Sequence, residues 1–217
     1  MKKTTVVFDL DGTLLDTLQD LANAVNYALE KQGMPKRTLE EVRQFVGNGV
    51  RLLMIRAVPD GERNPLFEET FALFKEYYGK HCNDNTKPYA GVVELIETLK
   101  EKGYAVAIVS NKIDFAVKEL NDLYFKGIVP VASGEKEGIR RKPAPDTVFE
   151  ALKELGKTKE EAVYVGDSDV DLETAKNSGM PCISVLWGFR DKEFLAEHGV
   201  ERYAKTAEDV LRFVEEM

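Results

Sequence analysis

The sequence has few of the residues on which several common kinds of functional site depend. Of its 217 residues, two are cysteine and two are histidine. Cys82 and Cys182 are too few for a disulfide framework or a zinc-type cysteine cluster. The two histidines, His81 and His198, are too few for a histidine-rich metal site. A Ser-His-Asp triad would have to use one of them. Chemistry based on cysteine or histidine is therefore not expected.

Long apolar segments are also absent. No run approaches the roughly 20 residues of a membrane span. Asp9 and Asp11 interrupt the short apolar run near the N-terminus, which makes it a poor signal peptide. Together with the low cysteine count, these features predict a cytoplasmic protein with no membrane partner.

The charge balance is acidic. Thirty Lys and Arg stand against 38 Asp and Glu, which gives a formal net charge of −8 at pH 7. This excess argues against a broad electrostatic surface for nucleic acid, so no nucleic-acid partner is expected. An anionic small molecule remains a candidate ligand if the protein provides a local positive site. The oligomeric state, monomer or dimer, stays open.

Short apolar segments alternate with helical patterns along most of the chain. This alternation predicts an α/β protein with a parallel sheet. The segments are β-branched or apolar throughout, as in strands covered by helices on both faces. The predicted strands are residues 5–8, 105–109, 128–132, 162–165 and 183–186.

The first two predicted strands are separated by about 95 residues, far more than one crossover helix requires. Thr17 with Asp20, and Thr38 with Glu41, resemble the capping boxes that begin helices. Four aromatic residues follow at heptad-like spacing, which is more typical of a packed helix face than of a ligand site. They are Phe67, Phe71, Phe74 and Tyr78.

These patterns predict a helical domain inserted into the α/β domain. We expect residues 18–84 to form this helical cap and residues 1–17 and 85–217 to form the core. The fold class is therefore α/β, with a Rossmann-like parallel sheet and an inserted helical cap.

Four polar clusters each follow a predicted strand, where an open parallel sheet presents its ligands. The first, FDLDGT, contains Asp9 and Asp11. Adjacent carboxylates beside an apolar strand repel one another and lose hydration, and a divalent cation offsets both effects. From chemistry alone, a metal site and a capped turn are both open.

The other three clusters add phosphate and metal candidates. VSNK supplies Ser110 and Asn111, which suit phosphate oxygens but also begin helices. RRKPAPD holds Lys142, whose ammonium suits a phosphoryl group, although a solvated basic loop is the alternative. In GDSDVD, Asp167 can complete an oxygen-rich Mg²⁺ site, and Asp171 lies one helical turn further on. All four clusters are expected at one sheet edge.

In their order and spacing, the four clusters resemble the signature motifs of the haloacid dehalogenase superfamily, most closely its phosphoglycolate phosphatase-like branch. The resemblance spans residues 8–171. It implies a Rossmann-like core with a helical cap inserted after the first motif, in agreement with the insert described above.

The resemblance also implies a mechanism. Asp9 would be the nucleophile that forms an aspartyl-phosphate, and Asp11 would be the general acid and base. Mg²⁺ would bind Asp9, Asp167 and the backbone carbonyl of Asp11. Because the dehalogenases proper lack an aspartate at the position of Asp11, its presence favours phosphoryl transfer over dehalogenation.

Further roles follow from the same resemblance. Ser110 and Lys142 would hold the phosphoryl oxygens, with Asn111 as a lesser candidate. Asp171 would orient Lys142 or a metal-bound water.

The segment FVGNGVR resembles the cap loop of phosphoglycolate phosphatases. Gly47 and Asn48 would form a tight turn near the ligand, and Arg51 could reach a substrate carboxylate. A helix-to-helix loop with a solvated arginine is an equal alternative.

These observations predict a Mg²⁺-dependent phosphatase acting on a small phosphate ester, with 2-phosphoglycolate as the first candidate. A phosphomutase of the β-phosphoglucomutase type is the main alternative, but such enzymes commonly have a glutamate where this chain has Gly166. A pyrophosphatase or nucleotidase of the same superfamily is also open. A phospho-accepting receiver without turnover is a fourth reading, against which the helical insert and the D-x-D-G-T spacing count.

Overall fold

The computed structural model describes residues 2–217. The chain divides into two compact units. The first contains the residues up to Leu15 and the segment Pro88–Met217, and the second is Asp16–Lys87. The predicted insert, 18–84, lies inside the second unit.

The described residues form eight strands. In chain order they are β1 (Thr5–Phe8), β2 (Leu15–Asp16), β3 (Lys87–Pro88), β4 (Ala105–Ile113), β5 (Val131–Glu135), β6 (Ala162–Gly166), β7 (Cys182–Val185) and β8 (Tyr203–Ala204). Six of them form one sheet in the order β5-β4-β1-β6-β7-β8, and its paired strands are parallel. Strands β2 and β3 pair with each other. The predicted α/β fold is therefore confirmed.

Four of the five predicted strands differ in their bounds, and for β6 and β7 the difference at each end is at most one residue. Strand β4 continues past residue 109 to Ile113. The strand predicted over 128–132 exists but starts three residues later, since β5 covers Val131–Glu135. Pro130 has no backbone N–H to donate to a neighbouring strand, so regular pairing starts after it. The apolar residue before it, Val129, is nevertheless buried in the hydrophobic core.

Ten α-helices lie between or beside these strands in the described part of the chain. In chain order they are α1 (Leu18–Lys31), α2 (Leu39–Phe45), α3 (Val50–Ala57), α4 (Phe67–His81), α5 (Val92–Glu101), α6 (Asp114–Phe125), α7 (Asp146–Glu154), α8 (Asp169–Ser178), α9 (Lys192–Glu197) and α10 (Ala207–Glu215). Two short 3₁₀ helices cover Gly61–Arg63 and Lys159–Glu161. Within residues 2–217, no helix combines the length and apolar character that crossing a membrane requires.

The strand β1 shows how the sheet is covered on both faces. Successive side chains of a strand point to opposite faces. Val6 and Phe8 pack into one cluster with Ile96 of α5, whereas Val7 packs into a second cluster with Val148 of α7. With both faces buried, the sheet leaves its strand ends as the places where polar groups can be presented.

The second unit packs its helices around aromatic side chains. The four aromatic residues predicted to form a packed helix face lie on α4 and are buried with apolar residues of α1, such as Val25 and Leu29. Neighbouring rings stack along the helix, for example Phe74 on Tyr78 with centroids 5.4 Å apart. The reading of this stripe as core is confirmed.

The helix-start signals had different outcomes. Thr38 and Glu41 form the predicted capping box of α2. The predicted box of Thr17 and Asp20 is wrong, because the Thr17 side chain makes no capping hydrogen bond. Asp20 instead accepts hydrogen bonds from the backbone and side chains of Asn85 and Thr86, at 2.8–3.0 Å. A tertiary contact 65 residues away has displaced the local one.

Candidate active site

Polar side chains gather at the carboxyl ends of three neighbouring strands. Asp9 and Asp11 follow β1, Ser110 lies near the end of β4, and Asp167 follows β6. Because β1 lies between β4 and β6 in the sheet, these ends are adjacent. Lys142 reaches the same place from the loop between β5 and α7. The first unit therefore brings the core residues of all four sequence clusters together.

Lys142 is the centre of this group. Its side chain is only 4 % exposed, and its ammonium donates to Asp9 Oδ1 at 2.7 Å and to Asp171 Oδ1 at 2.8 Å. A third hydrogen bond runs to the Tyr164 hydroxyl at 3.0 Å. An ammonium has three donors, so these contacts use all of them and fix its position.

The electrostatics of the site are strongly perturbed. Burial raises the pKa of Asp9 well above its ordinary value, and the nearby Asp171 raises it further, against the opposing effect of Lys142. Burial and Asp171 also raise the pKa of Asp167 to about 7. Burial lowers the pKa of Lys142, but Asp171 and Asp9 outweigh this and hold it well above its usual range. One buried cation thus faces more carboxylates than it can neutralise.

This imbalance fits a divalent cation. Asp9, Asp167 and Asp171 each offer a carboxylate oxygen, and these oxygens lie within 4.8 Å of one another. Oxygen donors without nitrogen or sulfur are the ligands that Mg²⁺ prefers.

Both carboxylate oxygens of Asp171 accept hydrogen bonds from neighbouring protein groups. Its Oδ1 accepts from Lys142 and from Tyr164, the latter at 3.2 Å. Its Oδ2 accepts from the Ser168 hydroxyl at 2.6 Å and from the backbone N–H of Asp167 at 3.2 Å. A Cβ on Gly166 would collide with the Asp171 side chain, so the glycine makes room for it. Asp171 is thus placed to orient Lys142.

Asp167 lies in a tight backbone cradle. Its Oδ2 accepts from the Phe189 N–H at 2.7 Å, and its Oδ1 accepts from the Thr13 hydroxyl at 3.4 Å. A Cβ on Gly12 or Gly188 would come within 2.5 Å of Asp167 Oδ2. Gly12 also has φ +88°, which side chains rarely adopt. The two glycines therefore allow the backbone to close around this carboxylate.

Successive residues near the end of β4 contact two different neighbours, Asp11 and Lys142. Ser110 Oγ lies 3.4 Å from Asp11 Oδ2, and Lys112 Nζ lies 3.0 Å from Asp11 Oδ1. Asn111, between them, points elsewhere. Its amide donates to the Lys142 carbonyl at 3.0 Å and accepts from the Lys142 N–H at 2.8 Å. The structure therefore places Asn111 on the backbone of Lys142.

Sequence reasoning missed two side chains of the site. Lys112 belongs to the VSNK cluster and has no predicted role, although a lysine at a strand end next to two phosphate candidates is a usable signal. Tyr164 lies in the apolar run that predicts β6 and also has no predicted role. Its hydroxyl was the signal, since a buried tyrosine usually finds a hydrogen-bond partner. Arg140 lies outside the group and pairs with Asp146 on the surface, as in a solvated loop.

The three cap candidates lie in the second unit. Gly47 and Asn48 both have positive φ, 118° and 61°, which is uncommon for a residue other than glycine. The Arg51 guanidinium pairs with Glu68 at 2.6 Å and with Glu62 at 2.8 Å. A substrate carboxylate would have to compete with these two glutamates for Arg51.

Comparison with known proteins gives a consistent result. The family described as haloacid dehalogenase-like hydrolase matches residues 6–185. A phosphoglycolate phosphatase of Aquifex aeolicus (strain VF5) is 35 % identical over 189 residues, covering 85 % of this chain and 85 % of that protein. Phosphoglycolate phosphatase 1 of Pseudomonas aeruginosa is 34 % identical over 216 residues, covering 95 % and 78 %.

A solved structure is also similar over its whole length. It is a protein of Lactobacillus delbrueckii subsp. bulgaricus, provisionally named phosphoglycolate phosphatase. It superposes with a TM-score of 0.96 at 38 % sequence identity and covers 100 % of both chains. The resemblance inferred from the four motifs is confirmed.

Proposed function

The chain belongs to the haloacid dehalogenase-like hydrolase family and is a phosphoric monoester hydrolase, and from this premise we propose that it hydrolyses 2-phosphoglycolate with the help of Mg²⁺. The relatives named phosphoglycolate phosphatase support the substrate. The observation that carries the proposed mechanism is the buried Lys142, whose ammonium donates hydrogen bonds to both Asp9 and Asp171. The site combines a nucleophile, a cation and an acid without using either histidine.

In the first step, the Asp9 carboxylate attacks phosphorus and forms an aspartyl-phosphate. The bond from phosphorus to the ester oxygen breaks, and its electron pair stays on the leaving oxygen. Asp11, as a carboxylic acid, gives that oxygen its proton. In the second step, water attacks phosphorus and gives a proton to the Asp11 carboxylate. Phosphate departs, the bond to Asp9 breaks, and both aspartates return to their starting states.

Asp9, Asp167 and the backbone carbonyl of Asp11 would hold the Mg²⁺. The close carboxylate oxygens and the raised pKa of Asp9 and Asp167, which burial causes first, support this assignment. When bound, the ion supplies positive charge that lowers the repulsion between the nucleophile and the phosphate.

Ser110 and Lys142 are the proposed contacts to the phosphoryl oxygens, and on substrate binding each would exchange one of its present hydrogen bonds for a bond to such an oxygen. Asn111 supports Lys142 through two hydrogen bonds to its backbone, and Asp171 supports it through its ammonium. We assign these two residues to the positioning of Lys142.

Substrate selection by Gly47, Asn48 and Arg51 is proposed from the sequence resemblance. The support is chemical, because an arginine can bind a carboxylate with two hydrogen bonds, and 2-phosphoglycolate carries one.

Phosphate release from a panel of substrates tests this function. The panel contains 2-phosphoglycolate, hexose phosphates, nucleoside monophosphates and pyrophosphate, each with and without Mg²⁺. We expect release that requires Mg²⁺, and kcat/KM that is highest for 2-phosphoglycolate. Asp9→Asn should lower kcat by about 10⁴-fold or more, as expected when a nucleophile is lost. Asp84→Asn, which changes an exposed aspartate, is the matched control.

The outcomes separate the alternatives. Release from none of these compounds would overturn the proposed function. Isomer formation without net phosphate release would indicate a phosphomutase, and a stable phosphorylated Asp9 without turnover would indicate a receiver. A better rate with pyrophosphate or a nucleotide would keep the mechanism and change the substrate.

A further inference from the structure

The proposed reaction leaves one buried lysine of the site without a role. The Lys112 side chain is 4 % exposed, and its ammonium lies 3.0 Å from Asp11 Oδ1. Burial of an ammonium is costly unless the charge is paired. Lys118 offers a contrast, since it is 59 % exposed and pairs with Asp114 on the surface of α6. A buried lysine directed at the candidate acid therefore needs an explanation.

The geometry shows a support built around the Asp11 carboxylate. Ser110 and Lys112 are two positions apart on β4, so their side chains lie on the same side of the strand. The Ser110 hydroxyl reaches one carboxylate oxygen of Asp11, and the Lys112 ammonium reaches the other. The backbone N–H of Lys112 donates to Ser110 Oγ at 3.1 Å, which links the two supporting groups.

The backbone around Lys112 departs from regular strand pairing. The pairing of β4 with β5 changes register between Val109 and Ile113, the segment that contains Lys112. On β5, a Cβ at Gly134 would collide with the Lys112 carbonyl oxygen, so the two strands approach closely there. The Gly134 N–H donates to Asp114 Oδ1 at 3.0 Å, just after the end of β4. Such an irregularity can re-aim a side chain, and here it lies at the lysine whose ammonium reaches Asp11.

Lys142 has different partners. Its ammonium donates to Asp9, Asp171 and Tyr164. The site therefore contains two buried lysines with separate partners, one for the candidate nucleophile and one for the candidate acid.

We infer that Lys112 is a positioning residue that holds the Asp11 carboxyl where it can pass a proton to the leaving oxygen. This inference rests on the proposed function, which makes Asp11 the acid. During the first step, Asp11 loses its proton to the oxygen that leaves phosphorus, and the Lys112 ammonium then faces the resulting carboxylate. Lys112 would thus determine how well the enzyme acts on esters whose leaving oxygen needs a proton.

The leaving group provides a direct test. The alkoxide of 2-phosphoglycolate needs a proton to depart, whereas p-nitrophenolate departs as an anion. Because kcat/KM reports the steps up to leaving-group departure, the comparison uses kcat/KM for both substrates. Lys112→Met should lower it about 30-fold for 2-phosphoglycolate, a part of the roughly 10²–10⁴-fold that general acid catalysis supplies, and less than about 3-fold for p-nitrophenyl phosphate. Lys118→Met is the control and should leave both values unchanged.

The remaining outcomes are decisive as well. Equal losses for both substrates would mean that Lys112 contacts the phosphoryl group or only maintains the fold, and no loss for either would mean that Asp11 does not need it. Both results overturn the inference. Thermal unfolding identifies a variant that does not fold, and Lys112→Arg then replaces Lys112→Met in the same comparison, judged by the same ratio.

A double variant checks that Lys112 acts through Asp11. Asp11→Asn combined with Lys112→Met should show no further loss of kcat/KM on 2-phosphoglycolate beyond that of Asp11→Asn alone. An additional loss would overturn the inference. The wild type separates this result from the proposed function, since a wild type that releases phosphate from neither substrate refutes the function itself. If another alkyl ester from the panel is preferred, that ester takes the place of 2-phosphoglycolate.

Discussion

The two units of this protein bury charge in different ways. Among its described residues, the unit that contains the six-stranded sheet buries five charged side chains, namely Asp9, Lys112, Lys142, Asp167 and Asp171. In the described part of the second unit, Asp20 is the one buried charged side chain. Asp20 receives hydrogen bonds on both oxygens from Asn85 and Thr86, so its charge is well satisfied.

The difference lies in how completely each charge is compensated. Around Lys142, the carboxylates outnumber the ammonium that they share, and burial raises the pKa of Asp9 and Asp167. Such a cluster is stable only with a ligand or with protons, which is typical of a reactive site. Asp20 needs neither, because neighbouring N–H and O–H groups satisfy it. A buried cluster whose charges do not balance therefore indicates a reactive site. A buried charge whose hydrogen bonds are all satisfied indicates a structural role.

Loss of Lys142 is the strongest way to test this contrast. Lys142→Met leaves Asp9 and Asp171 buried without their cation, so we expect the free energy of unfolding to fall by about 3–5 kcal/mol. The turnover number should also fall, by about 10³-fold, because the phosphoryl group loses its ammonium. Urea denaturation and steady-state kinetics measure the two effects.

A matched lysine controls this experiment. Lys157 pairs loosely with Glu161, at 4.0 Å and partly exposed. Lys157→Met should change the stability by less than about 1 kcal/mol and leave kcat unchanged. If Lys142→Met lowered stability but kept full activity, Lys142 would be architectural, like Asp20, and the contrast would fail.

The single buried charge of the second unit gives the next largest effect. Asp20→Ala leaves the donors of Asn85 and Thr86 buried without an acceptor, so we expect a loss of about 2–4 kcal/mol in the free energy of unfolding. Asp84→Ala is the control, since Asp84 forms an exposed pair with His81 and should cost less than about 1 kcal/mol. Equal losses in the two variants would show that Asp20 is not a structural anchor.

The response to pH and Mg²⁺ gives a smaller and more selective effect. Burial raises the pKa of Asp167 to about 7 in the folded protein, against 3.8 for an ordinary aspartate. Between these two pH values, the folded protein holds a proton that the unfolded chain has released. Without metal, the contribution of Asp167 to stability therefore falls as the pH rises from about 4 to about 7.

Mg²⁺ competes with this proton. Saturating Mg²⁺ should stabilise the protein by about 2–3 kcal/mol near pH 8 and by clearly less near pH 5.5. Thermal unfolding with MgCl₂ or EDTA at each pH measures the difference, and Asp167→Asn should abolish most of it. Equal stabilisation at both pH values would contradict the assignment of the cation to this carboxylate cluster.

Much of the fold followed from local patterns. The apolar runs that became β1, β4, β6 and β7 were visible because both sheet faces are covered, and polar residues directly after such runs marked the strand ends. This is why Asp9 and Asp167 could be selected without a structure. The strand after Pro130 was misplaced, since apolar residues can be buried in a turn as well as in a strand.

The parts that could not be predicted depend on distant partners. Asp20 has the spacing of a capping residue relative to Thr17, but its acceptors are used by residues 85 and 86 instead. A sequence pattern indicates which local hydrogen bond a side chain can make, but it does not show which distant residue competes for the same side chain. The same holds for Lys112, whose burial against Asp11 arises only when β4 and β1 lie side by side.

Asp171 has a consequence for protein engineering. One of its oxygens supports the start of α8 through Ser168, and the other holds Lys142. Rules for helix starts favour glutamate at this position of a capping box, so a stability design based on local rules would select the longer acid. That side chain would push into the space that Gly166 leaves open and would move the carboxylate away from Lys142. Automated thermostabilisation of this enzyme should therefore hold positions 166 and 171 constant.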